Sequence, residues 1–273
     1  MLTQAEKGSR FGALHERGRA FIIPNPWDAG TARLLEHLGF EALATTSAGY
    51  AFSQGRRDNT TGRDEMLAHA SAVASATDLP VSADLEGGFG DSPDVVAETI
   101  RLAAGTGLCG CSIEDMSSDS EHSIYEREHA AERMHAAAEV VRGLPFRFML
   151  TARAENYLVG KRDLKDTILR LQAYQEAGAD VLYAPGLTTK EEIAAVVQSV
   201  DRPVNVIMGL QGIQLTLADL SALGVRRVSV GSALSRAALG AFLRAAREIQ
   251  EHGTFSFGEQ AVSYRDISAM FKV

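Results

Sequence analysis

The stretch Pro80-Val81-Ser82-Ala83-Asp84-Leu85-Glu86-Gly87-Gly88-Phe89-Gly90, continued by Asp91-Ser92-Pro93, holds the pattern of the whole chain in miniature. An apolar strand opens at Pro80 and runs to Glu86, three glycines within four positions end it, and a helix follows over Pro93 to Ala104. Ser92 supplies a capping hydroxyl, and Pro93 falls in the first helical turn, where its ring is favoured. Side chains on a strand repeat every two residues, so Asp84 and Glu86 are expected to point the same way. Two carboxylates that close need a cation between them or water around them. Oxygen ligands at a strand end suit Mg²⁺, with Mn²⁺ as the alternative, because Mg²⁺ binds through one or two carboxylates and keeps waters that a substrate can displace. The plainer reading is a polar strand end running into a flexible turn.

Outward from this unit the same cycle recurs. An opening helix spans residues 3–17, and Ala20 to Ile23 reads as a first strand stopped by Pro24-Asn25-Pro26. A helix from Asp28 to Leu38 is closed by Gly39, with Asp28 as N-cap. Glu41 to Thr46 is the second strand. Ser47-Ala48-Gly49-Tyr50 then leads into a long polar loop through Arg56-Arg57-Asp58-Asn59, and Thr60 or Thr61 starts a helix over Arg63 to Ala76. Beyond the quoted unit, Leu108 to Ile113, Phe146 to Thr151, Asp180 to Ala184, Pro203 to Met208 and Arg227 to Val230 read as strands. Helical spacing follows each, over Tyr125 to Val141, Leu164 to Ala177, Lys190 to Val200, Thr216 to Leu223 and Ala233 to Gln250. Short, nearly unbroken apolar strands alternating with helices describe a parallel sheet covered by helices. Eight such units in this length describe an α/β fold, a closed (β/α)₈ TIM barrel, as one domain over residues 1–273. The rival is an open doubly wound sheet, but Pro24-Asn25-Pro26-Trp27-Asp28 is no glycine-rich dinucleotide turn. Phe255, Phe257 and the run Tyr264 to Phe271 carry aromatics past the last barrel helix, and the tail over about 233–273 is expected to bury them on a neighbouring subunit.

Composition narrows the function. A formal charge of −8, with 27 basic residues spread among 35 acidic ones, argues against an extended nucleic-acid footprint. Cys109 and Cys111 stand two apart in an apolar segment, which fits a reduced compartment and a packed strand better than zinc or a disulfide framework. Thr3-Gln4-Ala5-Glu6-Lys7 is no signal-peptide core, and no long uncharged apolar run is present, so a cytoplasmic location without membrane or nucleic-acid partners is the expectation.

The strand C-termini of a closed barrel share one mouth. It would receive Asn25 and Asp28, Ser47 with the backbone of Ala48 and Gly49, Asp84 and Glu86, Glu114, Arg153 with Glu155, and Asn205. The carboxylates call for a divalent cation, while an arginine and an asparagine can hold the carboxylate of an anionic substrate. Small 2-oxo or 2-hydroxy acids offer adjacent oxygens that chelate a metal and a carbonyl that it polarises.

Ser47-Ala48-Gly49, Asp58, Ser82 to Gly90, Ile113-Glu114-Asp115, Thr151-Ala152-Arg153 and Pro203-Val204-Asn205-Val206, in this order and spacing, resemble the isocitrate lyase and phosphoenolpyruvate mutase superfamily. The resemblance implies a (β/α)₈ barrel whose last helix is exchanged with a neighbour, a homodimer or homotetramer, and Mg²⁺. It implies Asp84 as a direct metal ligand, with Asp58, Glu86 and Glu114 holding the metal or its waters. Ser47, Ala48 and Gly49 would meet substrate oxygens, Arg153 a substrate carboxylate, and Asn205 the same or a second one.

The family pattern breaks after the fourth strand. Its carbon–carbon lyases resemble Lys-Lys-Cys-Gly-His there, whereas this chain has Met116-Ser117-Ser118-Asp119-Ser120-Glu121-His122-Ser123. The acid or base cysteine is missing, Glu86 stands where aspartate is usual, and the asparagine-bearing loop of a mutase is absent. Arg153, Glu114 and His122 are the candidate catalytic residues. The leading expectation is a Mg²⁺-dependent lyase that cleaves a carbon–carbon bond of, or decarboxylates, a small 2-oxo or 2-hydroxy dicarboxylate. A hydrolase or phosphonate P–C bond enzyme on the same scaffold, and a non-catalytic metabolite-binding barrel, stay open beside it.

Overall fold

A computed structural model of the chain describes residues 2–117 and 123–271. In chain order it contains α1 (Gln4–Glu16), β1 (Phe21–Ile23), α2 (Ala29–His37), β2 (Leu43–Ala44), α3 (Ser47–Ser53), α4 (Arg63–Ser75), β3 (Val81–Asp84), α5 (Pro93–Ala104) and β4 (Gly110–Glu114). The second half adds α6 (Arg127–Arg142), β5 (Met149–Arg153), α7 (Leu164–Glu176), β6 (Val181–Tyr183), α8 (Lys190–Gln198), β7 (Val204–Ile207), α9 (Leu217–Ala222), β8 (Arg227–Ser229), α10 (Ala233–His252) and α11 (Tyr264–Met270). The strands form an eight-stranded sheet in the order β1-β8-β7-β6-β5-β4-β3-β2, with each neighbouring pair in that order parallel. The Ala44 N–H donates to the Pro24 carbonyl at 3.1 Å and joins the two ends. The result is a (β/α)₈ barrel.

Local chemistry explains the element boundaries. Asp28 caps α2 by accepting from the Thr31 N–H at 2.7 Å, and Ser92 caps α5 ahead of Pro93, as the sequence indicates. The start of α4 differs: Gly62 is the N-cap, without a side-chain bond, in place of Thr60 or Thr61. The segment expected to be loop after the second strand begins as a helix, α3, because the Thr46 hydroxyl accepts from the Gly49 N–H at 3.2 Å. A further correction concerns β3, which ends at Asp84. Glu86 and Phe89 take left-handed backbone angles, φ 49° and 63°, so Glu86 belongs to a turn and not to the strand face it was expected to share with Asp84.

The two faces of the barrel wall differ in chemistry. Val81, Ala83, Cys111, Ile113, Leu150, Ala152, Val204, Val206 and Val228 are buried in the apolar layer shared with the surrounding helices. Residues of the other parity face the lumen, where Ser82, Asp84, Ser112, Arg153, Tyr183, Asn205, Arg227 and Ser229 line one cavity. At the N-terminal ends of the strands α1 lies across the barrel, packing Phe11 and Leu14 with Phe21, Met149, Val181 and Cys109. Both cysteines are buried, Cys111 within β4 as expected and Cys109 just ahead of it. No helix among the described residues is long and apolar enough to cross a membrane.

Candidate active site

The cavity at the C-terminal ends of the strands encloses about 220 Å³. A larger surface cleft of about 510 Å³ lies between α2, the end of α4 and Met270, outside the barrel and apart from the strand-end acids. The chemistry is concentrated in the smaller one.

Its centre is Arg153, the last residue of β5. Register sets Arg153 between Glu114 on one neighbouring strand and Tyr183 on the other. Each guanidinium nitrogen finds a different carboxylate: Nη1 lies 2.9 Å from Asp84 Oδ1, Nη2 2.8 Å from Glu114 Oε2, and Nε 2.9 Å from Glu155 Oε1. The guanidinium carbon also stands 5.3 Å from the centre of the Tyr183 ring. Burial opposes the charge of Arg153, but Glu114, Glu155 and Asp84 outweigh it and hold the group firmly protonated. Burial also raises the pKa of Glu114 well above the carboxylate range, against the pull of Arg153, and raises that of Glu155.

The acids around this centre are positioned from several elements. Asp84 Oδ2 accepts from the Ser47 N–H at 3.2 Å and the Ser47 hydroxyl at 2.9 Å, and the Asp84 N–H donates to Thr45 Oγ1. Ser47 thus meets Asp84 directly. The Gly49 N–H serves the α3 cap, and the absence of a side chain there is a packing need: a Cβ would fall 2.6 Å from Thr46 Cγ2. Asp58 is exposed as a residue, yet its carboxyl faces Ser47 and Asp84, and partial burial with the Asp84 charge raises its pKa. Glu86 is pushed up to about 7, first by burial and then by Asp84 and Asp58. Its Oε1 is buried and has no hydrogen-bond partner among the described residues.

One residue that the sequence reading did not single out holds this turn in place. Arg133 of α6 is buried and donates to the carbonyls of Gly87, Gly90 and Glu114, with its guanidinium 4.2 Å from the Tyr125 ring centre. A second missed residue is Arg227, deep in the lumen. Its Nε donates to Asn205 Oδ1 at 2.9 Å and its Nη2 to Thr151 Oγ1 at 3.0 Å, while Asn205 Nδ2 donates to Ser229 Oγ at 3.0 Å. The alternation Arg227-Val228-Ser229-Val230 was the available signal, since it turns both polar residues inward. The candidate catalytic residue His122 lies outside the described residues, as do Ser118 to Glu121 before it.

The comparisons with known proteins agree with this architecture. Residues 11–250 match the model of the phosphoenolpyruvate phosphomutase family. The chain belongs to the isocitrate lyase and phosphoenolpyruvate mutase superfamily. A crystal structure from Burkholderia cenocepacia, provisionally assigned as a lyase/mutase, is similar at TM-score 0.97 and 62% identity, covering 99% of this chain and 97% of that one. An uncharacterised protein of Mycobacterium tuberculosis is 34% identical over 95% of this chain and 95% of its own length. The 2,3-dimethylmalate lyase of Eubacterium barkeri is 30% identical over 74% of this chain and 72% of its own. Enzymes of this superfamily act on small 2-oxo and 2-hydroxy dicarboxylates by lyase or mutase chemistry.

Within this superfamily site the donor set is all oxygen, and the buried, unpartnered Glu86 Oε1 beside two further acids fits a hard divalent cation. Among the described residues no three Asp, Glu, His or Cys side chains close around one point, since Asp84 and Glu114 are drawn onto Arg153. A cation held by one or two carboxylates and by waters needs no tighter group.

Proposed function

We propose that this protein is a Mg²⁺-dependent lyase that cleaves a carbon–carbon bond of, or decarboxylates, a small 2-oxo or 2-hydroxy dicarboxylate. The observation that carries the reading is a buried Glu86 oxygen that has no partner among the described residues, on a carboxyl that feels the charges of Asp84 and Asp58, beside a serine-rich cavity large enough for a small acid. Relatives named 2-methylisocitrate lyase and oxaloacetate decarboxylase support the substrate class. Asp84 and Glu86 would hold the metal, with Asp58 and Glu114 on its waters. Mn²⁺ suits the same oxygen donors. A divalent cation in such a site polarises a 2-oxo group as a Lewis acid.

The chain's own residues supply the rest. Ser47 fixes the Asp84 carboxylate through two hydrogen bonds, and Arg153 ties Asp84, Glu114 and Glu155 into one unit. Arg153 is assigned to the substrate carboxylate in this reading, and Glu114 to proton handling, for which burial has already raised its affinity for a proton. Ala48 and Asn205 line the cavity. The subunits are assigned to a homodimer or homotetramer that covers α10. A panel of oxaloacetate, 2-methylisocitrate, isocitrate, 2,3-dimethylmalate and phosphonopyruvate, assayed for pyruvate or other 2-oxo acid release with and without Mg²⁺, tests the reading. Turnover of one of the first four that is lost with EDTA is the expected result. Turnover of phosphonopyruvate alone would replace it with phosphonate chemistry.

A further inference from the structure

Two arginines line the cavity, and they differ in company. Arg153 meets three carboxylates, one at each nitrogen. Arg227 is 5% exposed and meets no carboxylate within ion-pair distance among the described residues; its bonds go to the neutral Asn205 and Thr151. Its third nitrogen, Nη1, is buried without any hydrogen-bond partner among those residues. A guanidinium taken out of water without an anion is costly, and a charged donor left unpaired costs more again. Burial pushes its pKa down to about 10, so near neutrality the charge is still present. Packing alone does not explain an arginine here. Its two bonds to neutral oxygens could be made by an uncharged amide, without the cost of burying a charge.

We propose that Arg227 is the anion anchor at the base of the cavity, receiving the carboxylate of the dicarboxylate that lies farther from the Asp58, Asp84 and Glu86 cluster. The inference rests on the dicarboxylate reading above and adds to it the residue that selects two carboxylates over one. Arg227 also sets the orientation of its neighbour: by donating to Asn205 Oδ1 it leaves the Asn205 amide N–H₂ as the donor end, one hydrogen of which serves Ser229. The hydroxyls of Ser82, Ser112 and Ser229 share the cavity wall and offer further donors.

Malonate and propanoate differ by one carboxylate in place of a methyl group, so their affinity ratio isolates the second charge. Calorimetric titration of both, with saturating MgCl₂, is made on the wild-type protein, Arg227→Met and Arg227→Gln. The wild type is expected to prefer malonate by at least about tenfold, and both variants to lose at least about tenfold in malonate affinity while propanoate changes less than about twofold. Methionine removes an unpaired buried charge, so that variant is expected to fold; glutamine, which can still bond Asn205 or Thr151, carries the same comparison if it does not. A malonate preference kept in a folded variant overturns the role of Arg227 and leaves the dicarboxylate reading standing. A wild type without preference overturns both.

Discussion

Three nitrogens of Arg153 reach three carboxylates that come from two other strands and from the residue after the next on its own chain segment. Lysine offers one point charge at the end of a flexible stem and cannot satisfy three directions at once. Arg153→Lys should therefore lower unfolding free energy by about 2–4 kcal/mol, because buried acids lose their partner. It should also reduce kcat/KM on the acid that the panel identifies by at least about tenfold, or about 1.4 kcal/mol. Urea denaturation and steady-state kinetics measure the two effects, and an unchanged midpoint with unchanged kinetics would show Arg153 to be incidental. Arg153, Asp84 and Glu114 were legible as charged ends of apolar strands. Their pairing was not, since Asp84 and Arg153 stand far apart in sequence and meet only when the barrel closes. Arg133 was hidden for another reason: it sits among charged residues on a helix, where nothing in the spacing separates a solvated arginine from one bonded to three carbonyls. Glu86 was placed in the right neighbourhood by a wrong mechanism, since a left-handed turn and not strand alternation brings it to Asp84.

Among the elements, α1 shows how packing and titration are linked. His15 is buried edge-on between Phe11 and Phe21, with ring centres at 4.9 and 5.0 Å, and its Nδ1 meets the Phe11 carbonyl at 2.8 Å. Burial first, and then the positive charge of Arg227, push its pKa down to about 3, against the Phe11 bond. The folded state thus keeps His15 neutral where the unfolded chain takes up a proton near its ordinary pKa of about 6.5. Its contribution to stability is whole above about pH 6.5 and is lost as pH falls toward 3, with a limiting slope of about 1.4 kcal/mol per pH unit. His15→Phe should flatten this dependence between pH 6.5 and about 4. Unfolding free energies of the two proteins across that interval test it, and parallel curves would remove His15 as a source of acid sensitivity. The opening helix itself was legible from its polar and apolar spacing. Its place across the barrel base was not, because it depends on the close approach of Gly8 to the Arg147 backbone, where a Cβ would fall 2.2 Å from the carbonyl oxygen. The helix α3 was missed because Ser47, Gly49 and Ser53 are poor helix formers, and its start depends on a cap from the end of the preceding strand.

At the scale of the molecule, α2, α4, α5, α6, α7 and α8 each bury two or more residues, whereas the twenty residues of α10 bury only Ser235. Along α10, Leu239, Phe242, Leu243, Ala246 and Ile249 recur at the spacing of one helical face. That face is open to solvent in the single chain: Phe242 is 67% and Leu243 48% exposed. The short elements beyond it add Phe255, Val262 and Tyr264, and no residue of α11 is buried. A soluble chain seldom leaves so continuous an apolar stripe uncovered, and burying it returns roughly 25 cal/mol for each Å² of apolar surface. The aromatic tail was legible as a surface in need of cover because aromatics there outlast the barrel, but sequence periodicity does not say which surface covers them. The expected outcome is an oligomer of this chain at micromolar concentration, with α10 at the contact. Phe242→Asp places a charge in the middle of the stripe and should shift sedimentation velocity toward the monomer while circular dichroism stays the same, because the side chain touches little of its own barrel. A wild-type chain that sediments as a monomer throughout, or a variant whose assembly matches the wild type, would mean that α10 meets solvent in the working protein and that its apolar face has some other use.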